Sequence, residues 1–407
     1  MKPRVAVACL LLLSLSAVAC SGGGGGSAGG TKATGKPLVI GLMNMENTPI
    51  GSFPEFRRDA EAAVRYVNEE LGGIHNRPIQ LEACITNSSP ESAQACANEL
   101  RIKQPVAVVA GPELSAGPAM TIFENATIPY VGLTPAIGDE LSSTASFMLA
   151  GGVPGDLLAE MDYITGTLMA KKVGIVHLDL PGLVDNAVLA ARIIMRKRGV
   201  TDAKIVAEKA DAADFVPAVR AATASNPDVL MAVFPAQGCA RVLQAAQALK
   251  VKARIFMPSA CASEEVLSGA GSAANGVTFA TGLVPYTHTD DPQVATFLEK
   301  RQRYGAGTAP SVLSQMGFAT VMDVHKQLSS MNPDAMNGPA LSSRLQTRVD
   351  EPNFMAHPFT CDAHQVLLVP SVCNAWARLV QYRDGTFVDV VTEWVNGGAL
   401  VKLALEG

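Results

Sequence analysis

Ser115 closes the run Gly111-Pro112-Glu113-Leu114-Ser115, which follows an apolar stretch (106–110) and opens a helical pattern. A serine placed there has two roles open to it. Beside the free N–H groups and positive dipole end of a helix start it can hold an anion such as a carboxylate, or it can cap the helix, a structural role that adds about 1 kcal/mol. Glu46 and Glu113 stand in loops after apolar runs, where a carboxylate either meets a cationic group or is solvated. No other spacing suggests a reactive centre. No Gly-x-Ser-x-Gly stands at a strand end, no Gly-x4-Gly-Lys is followed by Ser or Thr, and Gly269-Ala270-Gly271 lacks the spacing of a dinucleotide fingerprint. The chain therefore reads neither as an enzyme nor as the holder of a cofactor. No Cys-x2-Cys or His-x3-His spacing occurs and the 6 His are scattered, so no metal centre is expected.

These groups sit in a chain of 407 residues with 32 Lys+Arg against 37 Asp+Glu, a net charge of −5, 48% apolar and 17% charged. The length predicts roughly two domains of about 100 to 200 residues each. The apolar share fills real cores and excludes a disordered chain. Mild acidity without a Lys/Arg cluster excludes a phosphate-reading surface, so no nucleic-acid partner is expected. Lys2 and Arg4 precede an apolar run (5–15), and Ser16-Ala17-Val18-Ala19 lead into Cys20. That pattern is a secretory signal peptide over 1–19, too short for the roughly 20 apolar residues that span a bilayer. Small residues before a cysteine resemble a bacterial lipobox, in which Cys20 carries lipid; plain cleavage after Ala19 is the alternative. Residues 20–36 are rich in Gly and Ser and form a tether reaching roughly 20 Å on average. The expected location is extracytoplasmic, on the cell membrane through an N-terminal lipid anchor. Asn87 and Asn125 begin Asn-X-Ser/Thr sites, expected to be unmodified in a bacterial lipoprotein.

Six cysteines remain in the exported body, Cys84, Cys96, Cys239, Cys261, Cys361 and Cys373, and suggest disulfides. Six allow 15 connectivities, and placement favours the sequential one. Cys84 ends a strand-like run and Cys96 lies on the helix that follows. Cys239 and Cys261 sit at the ends of two neighbouring strands, and Cys361 and Cys373 bracket a short loop.

The elements that carry these residues alternate. A continuous apolar run at 37–43 has strand length, Phe56, Ala60, Ala63, Val64, Val67 and Leu71 recur at helical spacing, and Gly72-Gly73 stops that helix. Strand 79–84, helix 91–102, strand 106–110, a helix to 125 and strand 128–133 follow. The pattern restarts near Gly155 with helices at 157–169, 186–198, 215–224 and 239–249 and strands at 172–178, 204–210, 229–234 and 253–257. Strands buried on both faces between helices mean a parallel sheet, so the fold class is α/β with two doubly wound lobes. The stretch 106–135 parallels 229–260, each strand, loop, helix, strand, as two lobes of one plan require. Helices at 292–304, 311–328 and 338–347 come next, and a hairpin turns at Asp384-Gly385. The end is too small for a third domain and is expected to complete the two lobes.

The pieces together resemble a type I periplasmic substrate-binding protein of an ABC importer, in the branched-chain amino-acid-binding branch. The residues that carry the resemblance are Ile40-Gly41, Asn68-Glu69-Glu70-Leu71-Gly72-Gly73-Ile74 with Arg77-Pro78-Ile79, Gly111 to Ser115, Pro135 to Leu141, Tyr304-Gly305 and Cys361-Asp362. The resemblance implies a clamshell of two lobes joined by three crossing strands, with 37–154 plus 284–374 as one lobe and 155–283 plus 375–407 as the other. It also implies a monomeric body that captures a small organic ligand and hands it to ABC permease subunits; a sensor of the same fold that signals instead is the alternative.

The same resemblance places Ser115 where a serine binds a ligand carboxylate, and Ala136 where a backbone group meets the ligand. The chain departs from the pattern elsewhere. Ile137 stands where the amino-acid binders carry threonine, Ser259, Ala260 and Cys261 stand near their ammonium-binding carboxylate, and Leu180-Pro181-Gly182 replaces a tyrosine. A buried ammonium without its acid costs several kcal/mol, so an α-amino acid is not the obvious guest unless Glu46 or Glu113 stands in. Met43, Ile137, Leu180, Leu183, Phe234 and Val284 are available as apolar walls, although core packing suits Met43 and Phe234 better. Tyr286 and Gln315 are candidate polar contacts from the returning segment. The expected ligand is a small, partly apolar solute with an acceptor group for Ser115, such as a carboxylate or amide.

Overall fold

The computed structural model describes residues 32–405 except 49–50, 134, 136–137, 180–184, 210, 306, 308 and 367. The signal peptide, Cys20, most of the tether, Ala136, Ile137 and Leu180 lie outside the described residues. In chain order, β1 (Leu38–Met45), α1 (Pro54–Glu70), β2 (Ile79–Thr86), α2 (Pro90–Ile102), β3 (Val108–Ala110), α3 (Gly117–Ala126), β4 (Tyr130–Gly132), the short α4 (Gly138–Ser142) and β5 (Ser146–Met148) build the first lobe. Its five strands run in the order β2-β1-β3-β4-β5, all parallel. β1 has no exposed residue, as a strand covered on both faces must read.

The chain then enters a second lobe. α5 (Gly152–Asp162) continues as a π-helical turn (Tyr163–Thr167), followed by β6 (Lys172–Leu178), α6 (Asp185–Lys197), β7 (Asp202–Glu208), α7 (Val216–Ala222), β8 (Val229–Val233), α8 (Ala236–Ala248), β9 (Arg254–Met257), α9 (Glu264–Ala270) and β10 (Thr278–Thr281). It returns to the first lobe with α10 (Pro292–Tyr304), α11 (Val312–Ser329), α12 (Gly338–Leu345) and the hairpin β11 (Glu351–Asn353) and β12 (Ala356–Phe359). It ends in the second with β13 (Trp376–Arg383), β14 (Thr386–Asp389), β15 (Val395–Asn396) and α13 (Gly398–Leu405). The second sheet runs β14-β13-β10-β9-β8-β6-β7, with β15 beside β13. Counting from the first strand of each lobe, both sheets wind in the order second, first, third, fourth, fifth. The stretches 106–135 and 229–260 fall on the third and fourth strands of each, which is why they resemble one another.

Boundaries shift where packing outweighs pattern. The helix expected at 157–169 begins at Gly152, whose positive φ (54°) brings its backbone against Pro135, where a Cβ would meet the proline ring at 2.5 Å. The helix after Ser115 begins two residues later, at Gly117. The hairpin β11–β12 was not expected, because Pro352 and Pro358 disfavour strands. It forms on tertiary contacts, with the Val284 N–H donating to the Met355 carbonyl (2.6 Å).

Three disulfides tie Cys84 to Cys96, Cys239 to Cys261 and Cys361 to Cys373, with Cα separations of 5.7, 5.7 and 4.3 Å. These are the sequential pairs. The first pins α2 to β2, and the third lies on the chain's last passage between lobes.

α11 is the first lobe's central helix and is buried along nearly its whole surface. Ser311 and Ser314 cap its start reciprocally at 3.1 and 2.8 Å. Gly317 lets its backbone approach Phe56 in α1, since a Cβ there would collide with the Phe56 carbonyl. Gly317→Ala is expected to lower the unfolding free energy by about 1–3 kcal/mol, the cost of an overpacked core, read from the urea midpoint.

Candidate functional site

Loops at the carboxyl ends of the strands of both lobes face each other across a cleft, the place where open α/β sheets present ligand-binding groups. From the first lobe come Phe53, Pro112 and Leu114, joined by Leu313 and Met316 from the first turns of α11. From the second come Leu178, Val233, Phe234, Pro235, Ser259 and Ala260, and from the passage between the lobes Gly152 and Val153. The cavity holds about 140 Å³, close to the ~150 Å³ void that admits a benzene-sized guest. Ser259 is the one polar side chain among these lining residues.

Ser259 is not free to turn. Its N–H and its hydroxyl both donate to Asp156 Oδ2, at 2.9 and 2.5 Å, and Asp156 is buried in the first turns of α5. Burial pushes the Asp156 carboxyl up to about 7 against the pull of those two hydrogen bonds. One turn on, Glu160 is also buried and its carboxyl lies well above the usual range, first through burial and then through the Asp156 charge. The Ala280 N–H reaches Glu160 Oε1 at 3.3 Å. The Cys239–Cys261 disulfide fastens the short turn that carries Ser259 to the start of α8, so this wall is rigid.

The candidate residues divide. Phe234 lines the cleft, edge-on to Phe215 at 5.3 Å. Ser115 does not: its hydroxyl donates to the Ser88 carbonyl (2.7 Å) and its N–H to Glu113 Oε1 (2.8 Å). It is not a cap either, since Ala116 holds that position in α3 without a side-chain bond. Glu113 is fully buried, takes the Thr86 hydroxyl proton as well, and holds its loop in shape. Glu46 pairs with Arg57 through two contacts at 2.7 and 3.2 Å. Tyr286 packs edge-on against Phe387 (5.8 Å), its phenol pushed up to about 12 by burial. Met43 is core. Gln315 accepts the Tyr286 N–H (3.0 Å) and donates to the Val284 carbonyl (2.9 Å), which fixes a crossing segment and leaves it no ligand role. Leu313 and Met316 were missed, although apolar residues on every side of α11 signal a helix with two buried faces.

A dry cleft between two like-wound lobes, reached by three chain crossings, is the architecture of a solute-capturing clamshell, and the profile of the periplasmic binding protein family matches residues 37–369. The chain belongs to the periplasmic binding protein family. It is accordingly a binding protein and not an enzyme, of a family that works outside the cytoplasm. Among solved structures it resembles a possible leucine/isoleucine/valine-binding protein from Rhodopirellula baltica (14% identity, TM-score 0.75, covering 89% of this chain and 98% of that one). It also resembles a fatty acid ABC transporter substrate-binding protein from Thermomonospora curvata (16%, 0.74, 92% and 95%). A third is the branched-chain amino acid transporter substrate-binding protein of Streptococcus pneumoniae in complex with isoleucine (18%, 0.67, 88% and 99%). At these identities the likeness is one of fold. No curated sequence gives a significant match. Among the described residues of this binding protein there is no cluster of potential metal ligands and no helix long and apolar enough to cross a membrane.

Buried acids give the binding protein a pH signature. Asp156 titrates near 7 when folded against a usual 3.8, and Glu160 is displaced the same way, so between these limits the folded state holds more protons than the unfolded. Stability then falls as pH rises through that window. The melting temperature is expected to be higher at pH 5 than at pH 8, and Glu160→Gln to flatten the slope; an unchanged slope in that variant places its origin elsewhere.

Proposed function

We propose that this periplasmic binding protein is a lipid-anchored lipoprotein that captures a small, largely apolar organic solute lacking an α-ammonium group and delivers it to an ABC permease. In this reading residues 37–154 with 284–374 and residues 155–283 with 375–407 are the two jaws, Cys20 carries the anchor, and the tether lets the body reach the permease. The observation that carries the reading is the cleft wall: both lobes contribute to it, and its described side chains are apolar apart from Ser259. An ammonium group enclosed there would need a carboxylate facing it. Glu46 and Glu113 are committed to Arg57 and to their own loop, and Asp156 is committed to Ser259. Similarity in fold to a fatty acid carrier agrees with an apolar guest.

A thermal-shift screen of the mature protein tests this, using branched-chain and aromatic amino acids, their deaminated acids and amides, short fatty acids and steroid-derived acids. A ligand at 100 times its Kd adds about 2.7 kcal/mol, a shift of several degrees. A shift with at least one of the compounds lacking the ammonium is expected, and a shift with leucine or phenylalanine itself overturns the reading. Both tryptophans lie near the third crossing, with Trp376 stacked on His357 at 4.4 Å and Trp394 edge-on to it at 5.8 Å. Since β12 and β13 belong to different lobes, the same ligands are expected to change intrinsic fluorescence as the jaws move. For the anchor, Cys20→Ala is expected to move the protein from the membrane fraction to the medium.

A further inference from the structure

Among the described residues that line the cleft one side chain is polar, and the direction of its hydrogen bond is set from behind. A hydroxyl has one proton and two lone pairs. The Ser259 proton goes to Asp156 Oδ2 at 2.5 Å, and the same oxygen takes the Ser259 N–H at 2.9 Å. An ionised carboxylate accepts only, so above pH about 7 it holds the serine in a single orientation. Asp156 and Ser259 are both almost wholly buried, and the disulfide at Cys261 keeps the turn from relaxing. What the serine can still offer the cavity is a lone pair, with a carboxylate charge close behind it. The other described side chains on the walls are hydrocarbon and cannot answer a polar group on the guest.

Resting on the capture role proposed above, we infer that the Asp156–Ser259 pair sets the ligand class as an apolar solute with a neutral hydrogen-bond donor, an alcohol or a carboxamide, and rejects carboxylates. A donor on the guest completes the serine's bonding. A carboxylate meets an acceptor and a like charge, in a place where an unanswered polar group costs about 1–3 kcal/mol and a charged one more. The selection therefore comes from a group that never touches the guest: Asp156 is a positioning residue, and Ser259 makes the contact.

The test compares 3-methylbutan-1-ol, 3-methylbutanamide and 3-methylbutanoate, one branched skeleton with three head groups, by calorimetry and thermal shift on the mature protein at pH 8. The alcohol and amide are expected to bind, and the carboxylate to bind at least about tenfold more weakly, as one unmet hydrogen bond predicts. In Asp156→Asn the amide oxygen keeps both Ser259 donors and only the charge behind the serine is lost, so the margin against the carboxylate is expected to narrow. In Ser259→Ala the alcohol and the amide are expected to lose about tenfold in affinity, because their head groups then have no partner, while the carboxylate, which has none in either protein, is expected to change little. A carboxylate that binds the unaltered protein as well as the alcohol does, or a preference unchanged in Asp156→Asn, overturns the inference while leaving the capture role intact. Binding of none of the three overturns both.

Discussion

The chain crosses between the lobes through dry protein, and there every backbone N–H and C=O must find a partner or cost free energy. The rest of the structure depends on how that demand is met. At the first crossing, Asn353 Nδ2 donates to the Leu149 carbonyl at 2.7 Å. At the second, Gln315 holds both the Val284 carbonyl and the Tyr286 N–H, while the Val284 N–H reaches Met355. At the third, Cys373 donates to the Met148 carbonyl and accepts from the Thr360 N–H, both at 2.8 Å, and Asn374 accepts from the Trp376 N–H (2.9 Å). The anchors at the first two crossings sit on α11 and on the β11 strand, which are first-lobe elements. The crossings are therefore fixed at their first-lobe end, which makes the segments beyond them the natural place for bending.

The same arrangement produces the cleft. Parallel strands end in loops on one side of each sheet, and with both lobes wound in the same order their loop sides can oppose each other. α11 supplies Gln315 to the hinge and Leu313 and Met316 to the cleft wall from one stretch of helix. Its reciprocal serine cap and its close approach to α1 at Gly317 hold that stretch in place. On the opposite wall, rigidity comes from the Cys239–Cys261 bridge and from Asp156, whose removal from water is compensated only in part by two hydrogen bonds. The interlobe crossings and the cleft wall are thus built from neighbouring residues, so any movement of one lobe against the other changes the cleft.

Much of the fold was legible in the chain. Long periodic helices such as α1, α10 and α11 were found within a residue or two at most ends, because a buried stripe at 3.6-residue spacing has no other interpretation. Four of the paired cysteines were legible because they lay on or at the end of elements whose place in a βα repeat was already clear, and Cys361 and Cys373 because they bracket a short loop. The β11–β12 hairpin was not, since its two prolines argue locally against strands and only contacts with the Val284 segment stabilise it. The site was less legible still. Ser115, Glu113 and Glu46 carry the residue types of a binding site, yet their polar atoms are taken up by Ser88, Thr86, Arg57 and one another.

By itself the sequence determined the α/β class, the two like-wound lobes and the three cysteine pairs, because periodicity and order along the chain express all of these; the family was legible only through the resemblance carried by motifs such as Gly111 to Ser115. Only the tertiary structure decided which polar groups face the cleft and which are committed elsewhere. Asp156 and Ser259 lie 103 residues apart, and nothing local to either marks them as partners. A hydrogen bond consumes a donor wherever its acceptor comes from, so the chemistry left over for a ligand exists only after the chain has folded and long-range pairs have claimed their share.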